Sequence, residues 1–210
     1  MAARALELTL TSRSKEANGG GIPMCGVPFH AVDTYIARLV RKGFRVAICD
    51  QVEDPRKAKG IVKREVVRVV SPGTLTDASY LDAREPAFLM ALSVADERDK
   101  DRVTGAALLD VSTGEFSAAE YRGEDGLQSL LDEIAVLKPR EIVIPDDADA
   151  SRLKDRWQLP PSSAPRVTAL DGWAFDAESA RRALPDQLQA RGLEGFGLEG
   201  HPRAVAAAGA

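Results

Sequence analysis

The stretch GGGIPMCGVPFHAVDTYIARLVRKGFRVAICDQVEDP, Gly19 to Pro55, interleaves glycine and proline with Met24, Cys25, Phe29 and His30 just ahead of a helical pattern. Turn formers fix the backbone path while Met24 and Phe29 need a surface to pack on, so the segment is a shaped loop that either seals a core or offers itself to a ligand. It is not a nucleotide cradle. No G-x-x-x-x-G-K-[ST] occurs, and GGGIPMCG has neither the lysine nor the hydroxyl that phosphates and magnesium require. A second set, Asp110, Glu115, Asp132, Glu133 and Asp146, is of the type used in two-metal phosphodiester hydrolysis, where carboxylates hold cations that stabilise the attacking and leaving oxygens. Asp132 and Glu133 fall on the polar side of a helical pattern, which favours solvent over a metal. Cys25, Cys49, His30 and His201 lack the spacing of a zinc site.

The elements around the loop make a small mixed-sheet α/β unit. ALELTLT (5–11) alternates as a strand does. A helix is expected over about 30–42, with Val32, Tyr35, Ile36, Leu39 and Val40 on one face, His30 capping its start and Gly43 as its stop. FRVAICDQV (44–52) and VKREVVRVV (62–70) read as strands joined by the basic loop EDPRKAKGI, and SPGT (71–74) is a turn.

The downstream half alternates strand and helix. AFLMALSVA (87–95), VTGAALLDV (103–111) and EFSAAEY (115–121) read as strands, the last two forming a hairpin through STG. Leu127, Leu130, Leu131, Ile134 and Leu137 mark a helix that Pro139 closes, and EIVIP (141–145) is an apolar strand of the kind a parallel sheet buries. A helix near 147–156, the loop LPPSSAP, a strand at 166–170 and a helix near 177–190 complete a layered α/β domain. The final HPRAVAAAGA reads as an apolar helix cut short with no packing partner, and the first residues as a strand lacking an element to pair with. Both ends suggest a piece of something longer.

Charge is uneven along the chain. Residues 1–75 hold 13 Lys and Arg against 7 Asp and Glu, a net of +6, so the remainder carries −10. The front half is therefore the part suited to a polyanion. With two cysteines, no signal-peptide pattern and no apolar run of membrane length, a reducing, cytoplasmic setting and no membrane partner are expected.

The run IPMCGVPFHAVDTYIARLVRKGFRVAICDQVEDPRKAKGIVKREVVRVVSPGT resembles the mismatch-recognition domain of the MutS family of DNA mismatch-repair proteins. It carries the P-M-x-G-x-P-[FY]-H-A loop, the V-A-I-C-[DE]-Q strand, the D-P-x-x-x-K-G loop and the [RK]-x-V-V-R-[IV]-V-[ST]-P-G-T ending in order. LLDVSTGEF, KPREIVIPDD and the GLEGFGLEGHPRAVAAAGA tail are similar to that family's connector domain and the first turns of its helical core. The resemblance implies a partial recognition domain at 1–75, a linker at 76–86, a ribonuclease H-like connector at 87–195 and the start of the core domain at 196–210. It also implies that the loop lies on the minor-groove side of a kinked duplex, with Pro23, Met24, Gly26, Pro28, Phe29 and His30 as its DNA-facing set and Arg13 and Arg64 near phosphates. Met24 and Phe29 capping the helix-sheet core is the alternative left open.

One departure is informative. The family's G-x-F-[YF]-E element, whose Phe wedges beside a mispaired base, occurs nowhere in these 210 residues. Wedging selects mismatches because they unstack more easily, so without the ring only weak, general duplex binding is expected. The resemblance assigns ATP, Mg²⁺, homodimerisation, the core and ATPase domains and contact with other repair factors to a longer bacterial protein at the nucleoid, and no cofactor or catalysis to this segment. A ribonuclease H-like nuclease centred on Asp110, and an interaction module that does not bind DNA, are the competing readings.

Overall fold

The computed structural model describes residues 1–12, 22–54, 62–74, 86–94, 102–148, 156 and 164–210. The chain divides into two compact units, Met1–Leu75 and Thr76–Ala210.

The first unit opens with a short helix, α1 (Ala2–Leu6), and not with the expected strand. Three alanines favour the helix, and Ala3 and Leu6, one turn apart, are both buried. Glu7 ends it at φ 59°, and the Lys42 Nζ donates to the Ala5 carbonyl at 2.6 Å, tying α1 to the residue that caps the end of the next helix. Two short strands, β1 (Thr11–Ser12) and β2 (Pro23–Met24), pair antiparallel. α2 (Val32–Arg41) follows a single 3₁₀ turn over Phe29–Ala31. Its buried face is Ile36, Ala37 and Val40, rotated from the expected stripe, which leaves Tyr35 and Leu39 half-buried. Gly43, at φ 81°, stops it as expected. β3 (Val46–Gln51) and β4 (Arg64–Val70) pair antiparallel with a register shift between Ile48 and Cys49. Val66, Val67 and Val69 of β4 stay exposed. The basic loop and the Gly-rich segment lie largely outside the described residues.

The second unit is built on a five-stranded sheet in the order β7-β6-β5-β8-β9. Its strands are β5 (Phe88–Ser93), β6 (Val103–Asp110), β7 (Phe116–Arg122), β8 (Glu141–Pro145) and β9 (Arg166–Leu170). β6 runs against the other four: it pairs antiparallel with β5 and β7, while β5–β8 and β8–β9 are parallel. The EIVIP strand is central and buried, as its composition predicts.

Residue size sorts the two faces. Met90, Leu92, Ile142 and Ile144 point one way and pack with Leu130 and Ile134 of α3 (Gly123–Leu137). Ala91 and Ala107 point the other way, into a cluster with Phe175 and Ala207. Beside them Gly105 is so close to the last helix that an added Cβ would lie 2.0 Å from the Arg203 carbonyl oxygen.

That last helix corrects an expectation. α5 (Pro202–Gly209) is no unpartnered stub: Ala204, Val205, Ala206 and Ala207 are buried, and the helix packs on β6 and on α4 (Ala177–Leu188). A helix apolar all round belongs inside a domain, and this one fits because the sheet presents small residues beneath it. Its N-terminus is held by a buried carboxylate on β7. Glu120 accepts from the Arg203 and Ala204 backbone N–H groups at 2.9 and 3.4 Å, satisfying donors that a helix start leaves orphaned. The expected helix near 147–156 and the loop after it fall almost wholly outside the described residues.

Candidate nucleic-acid interface

The loop is assembled from local constraints. β2 holds its first residues against β1, where Thr11 Oγ1 donates to the Met24 carbonyl at 3.0 Å. Pro28 then sets the path, and the Ala31 N–H donates to its carbonyl at 3.0 Å as the 3₁₀ turn closes. This turn lifts Phe29 off the unit: its side chain is 91% exposed, and Met24 is 41% exposed. Neither caps the core, so the alternative left open by the sequence is corrected; the core already closes with Ile36, Ala37 and Val40. Pro23, Gly26, Pro28 and His30 are exposed as well. His30 makes no side-chain capping hydrogen bond at the helix start, contrary to the expected cap.

Gly26 is the telling residue. A Cβ built there meets nothing within 4 Å, and its φ lies outside the left-handed region. The unit's own packing and backbone therefore do not require glycine at this position.

Arg64 stands on a different element, the first residue of β4, paired in register with Gln51. It is exposed, and among the described residues no carboxylate forms an ion pair with it; its Nη1 reaches only the Val62 carbonyl at 3.4 Å. Next to it Lys63 and Glu65 pair at 2.6 Å. Arg13 lies outside the described residues.

The carboxylates of the second unit are dispersed into separate roles. Asp110, buried at the end of β6, accepts from the Ser112 hydroxyl at 2.6 Å and from the Ser112 and Ala87 backbone N–H groups at 2.9 and 3.1 Å. The Ser112 hydroxyl does most to hold its carboxyl below the ordinary range, against burial, which pushes the other way. It organises the β6–β7 turn, where Gly114 takes φ 78°. Glu133 accepts from the Tyr121 hydroxyl at 2.7 Å, and burial followed by this carboxylate pushes that phenol upward. Asp132 accepts from Gln128, Asp146 accepts from the Gly172 N–H, and Glu115 is exposed. Among the described residues no group of three or more His, Cys, Asp or Glu is placed to hold a metal ion. Sequence reasoning missed Glu120, whose role as a cap for α5 depends on a contact 83 residues along the chain.

Comparison with known proteins settles the lineage. Residues 1–79 match the MutS domain I family model, and residues 87–210 match that of MutS domain II. The chain belongs to the MutS family. It is 43% identical over its whole length to the DNA mismatch repair protein MutS of Symbiobacterium thermophilum and covers 23% of that protein. Its identity to the MutS of Syntrophobacter fumaroxidans is 44% over 98% of the chain, covering 22% of the relative. The MutS of Methanococcoides burtonii is 40% identical over 99% of the chain, with 23% of its length covered. The chain thus spans less than a quarter of the length of the MutS relatives it matches. No helix among the described residues is long and apolar enough to cross a membrane.

Proposed function

We propose that these residues form the duplex-facing and connecting segments of a mismatch-repair protein, with the Pro23–His30 loop laid along duplex DNA and Arg64, together with Arg13, near phosphates. The observation that carries the reading is a proline-bearing loop with Phe29 and Met24 exposed around a glycine that the unit itself does not require. A side chain at Gly26 would stand between the backbone and a closely approaching ligand, whereas proline keeps the path fixed without one. The net positive charge of residues 1–75 supports the same partner.

The second unit serves as a connector of ribonuclease H-like architecture, a reading supported by its strand order with β6 alone reversed. Asp110 acts there as a turn organiser, not as a metal ligand. Selection of mismatches, ATP and Mg²⁺ binding, homodimerisation and contact with other repair factors belong to the longer protein, working in the bacterial cytoplasm at the nucleoid. The 210 residues hold no Walker-type phosphate loop, so no step of nucleotide chemistry is assigned to them.

Fluorescence anisotropy with matched and G·T duplexes tests the proposal. The expected result is weak binding, with Kd on the order of 10⁻⁴ M at physiological salt, equal for the two duplexes and weakened by Phe29→Ala. A clear G·T preference would place a mismatch reader within these residues, and absence of binding at low salt would sink the DNA assignment.

A further inference from the structure

The outward side of α2 is cationic. With Ile36, Ala37 and Val40 turned into the unit, the 100° step per residue puts Arg38 and Lys42 on the opposite side. The Arg38 guanidinium sits 5.7 Å from the Tyr35 ring centroid, a stacking that restricts the head without consuming its N–H donors. Arg45 is exposed just beyond the Gly43 turn. Arg4 is carried to the same end by α1, because Lys42 Nζ holds the Ala5 carbonyl. Among the described residues, no carboxylate forms an ion pair with Arg38 or Arg45; the acids on or flanking the two helices are Asp33 at the start of α2 and Glu7 after α1. One cation suffices to offset the partial negative charge of a helix C-terminus. A cluster of them repels itself and is complementary to a dense row of anions.

We propose that this face, centred on Arg38 and Arg45, is a second phosphate-binding surface that takes the backbone of the same duplex the loop meets. The inference rests on the function proposed above and adds a contact set to it. Spacing favours one duplex. The ten residues of α2 separate the Phe29 turn from the cationic end by about 15 Å, a distance that one duplex readily spans. With the loop on the minor-groove side, the helix end would reach the adjoining backbone of the same duplex.

The test is anisotropy of a labelled matched duplex across a salt series, using the 210-residue chain and the variants Arg38→Gln/Arg45→Gln and Phe29→Ala. Circular dichroism melting serves as the folding control, which Arg38 requires because it is half-buried beside the Tyr35 ring. The double variant should lose two phosphate contacts, making the log–log salt slope shallower by about 1.8, while Phe29→Ala lowers affinity and leaves the slope unchanged. An unchanged slope in the double variant, with Phe29→Ala still weakening binding, overturns the second surface and leaves the loop assignment standing. A wild-type chain that ignores duplex at low salt removes both. Vesicles rich in phosphatidylserine form the control arm: capture of the wild type that the double variant loses, with no change in the duplex slope, would assign the face to a lipid surface instead.

Discussion

Phe29 exposes most of its ring, so shortening it removes almost no buried area. Phe29→Ala should leave the urea midpoint within about 0.5 kcal/mol of wild type, the range of ordinary surface changes, whereas a buried Phe loses about 3–5 kcal/mol. A large drop in the midpoint would mean that the ring packs in solution and the loop is core. Asp110 presents the opposite situation: exposed to little solvent and serving three donors, it does structural work with a charge. Its folded value is depressed, so its contribution is present above the unfolded value of about 3.9 and disappears as pH falls through the folded value. Asp110→Asn should therefore cost about 1–3 kcal/mol at neutral pH, because the three donors that converge on Oδ1 exchange a charged acceptor for a neutral one. Urea midpoints between about pH 5 and pH 2 should also fall less steeply in the variant than in wild type. Equal acid slopes would show that Asp110 is not the group responsible. The sequence placed an acid at the end of a strand followed by S-T-G; it could not distinguish a metal ligand from a turn organiser, since that depends on which donors the fold aims at the carboxylate.

Two glycines separate the demands of an element from those of a ligand. At Gly105 a Cβ would stand 2.0 Å from backbone of α5, and backbone cannot swing aside as a flexible side-chain end does; at Gly26 it would meet nothing. Gly105→Ala should thus force α5 off the sheet at a cost of about 1–3 kcal/mol or more, while Gly26→Ala should melt like wild type yet bind duplex less well. Similar melting temperatures for the two variants would contradict the close approach of α5. Elements with a strong internal period were legible: the Leu130–Ile134 helix, the β6–β7 hairpin and the buried EIVIP strand all lie where their patterns put them. The two misread segments share a cause. ALELTLT alternates, but the alanines before it and the contact with α2 pull its beginning into a helix; AVAAA looks exposed until the small side chains of a sheet built 100 residues earlier are seen beneath it. Both outcomes were decided by tertiary contacts, which local periodicity does not contain.

At the scale of the molecule, family membership was readable because ordered motifs, unlike burial, survive in the linear sequence. Which side chains face outward was not: Phe29 in the core and Phe29 on the surface have the same sequence, and only the 3₁₀ turn separates them. The division into two units gives this chain a useful asymmetry, since both tryptophans, Trp157 and Trp173, lie in the second unit and none in the first. Tryptophan fluorescence therefore reports the second unit alone, while far-ultraviolet circular dichroism reports both. Deleting residues 200–210 removes α5, whose Val205 and three neighbouring alanines are buried, a loss on the order of 4 kcal/mol from apolar burial. It also strips Glu120 of the helix N–H groups it now serves, leaving Arg122 as its partner at 3.0 Å. The fluorescence-detected urea transition should shift strongly to lower denaturant, and the circular dichroism trace should split, its later part retaining the first unit's wild-type midpoint. An unmoved fluorescence transition would mean that the second unit closes its core without α5. The tail would then be a separate segment, as its sequence first suggested.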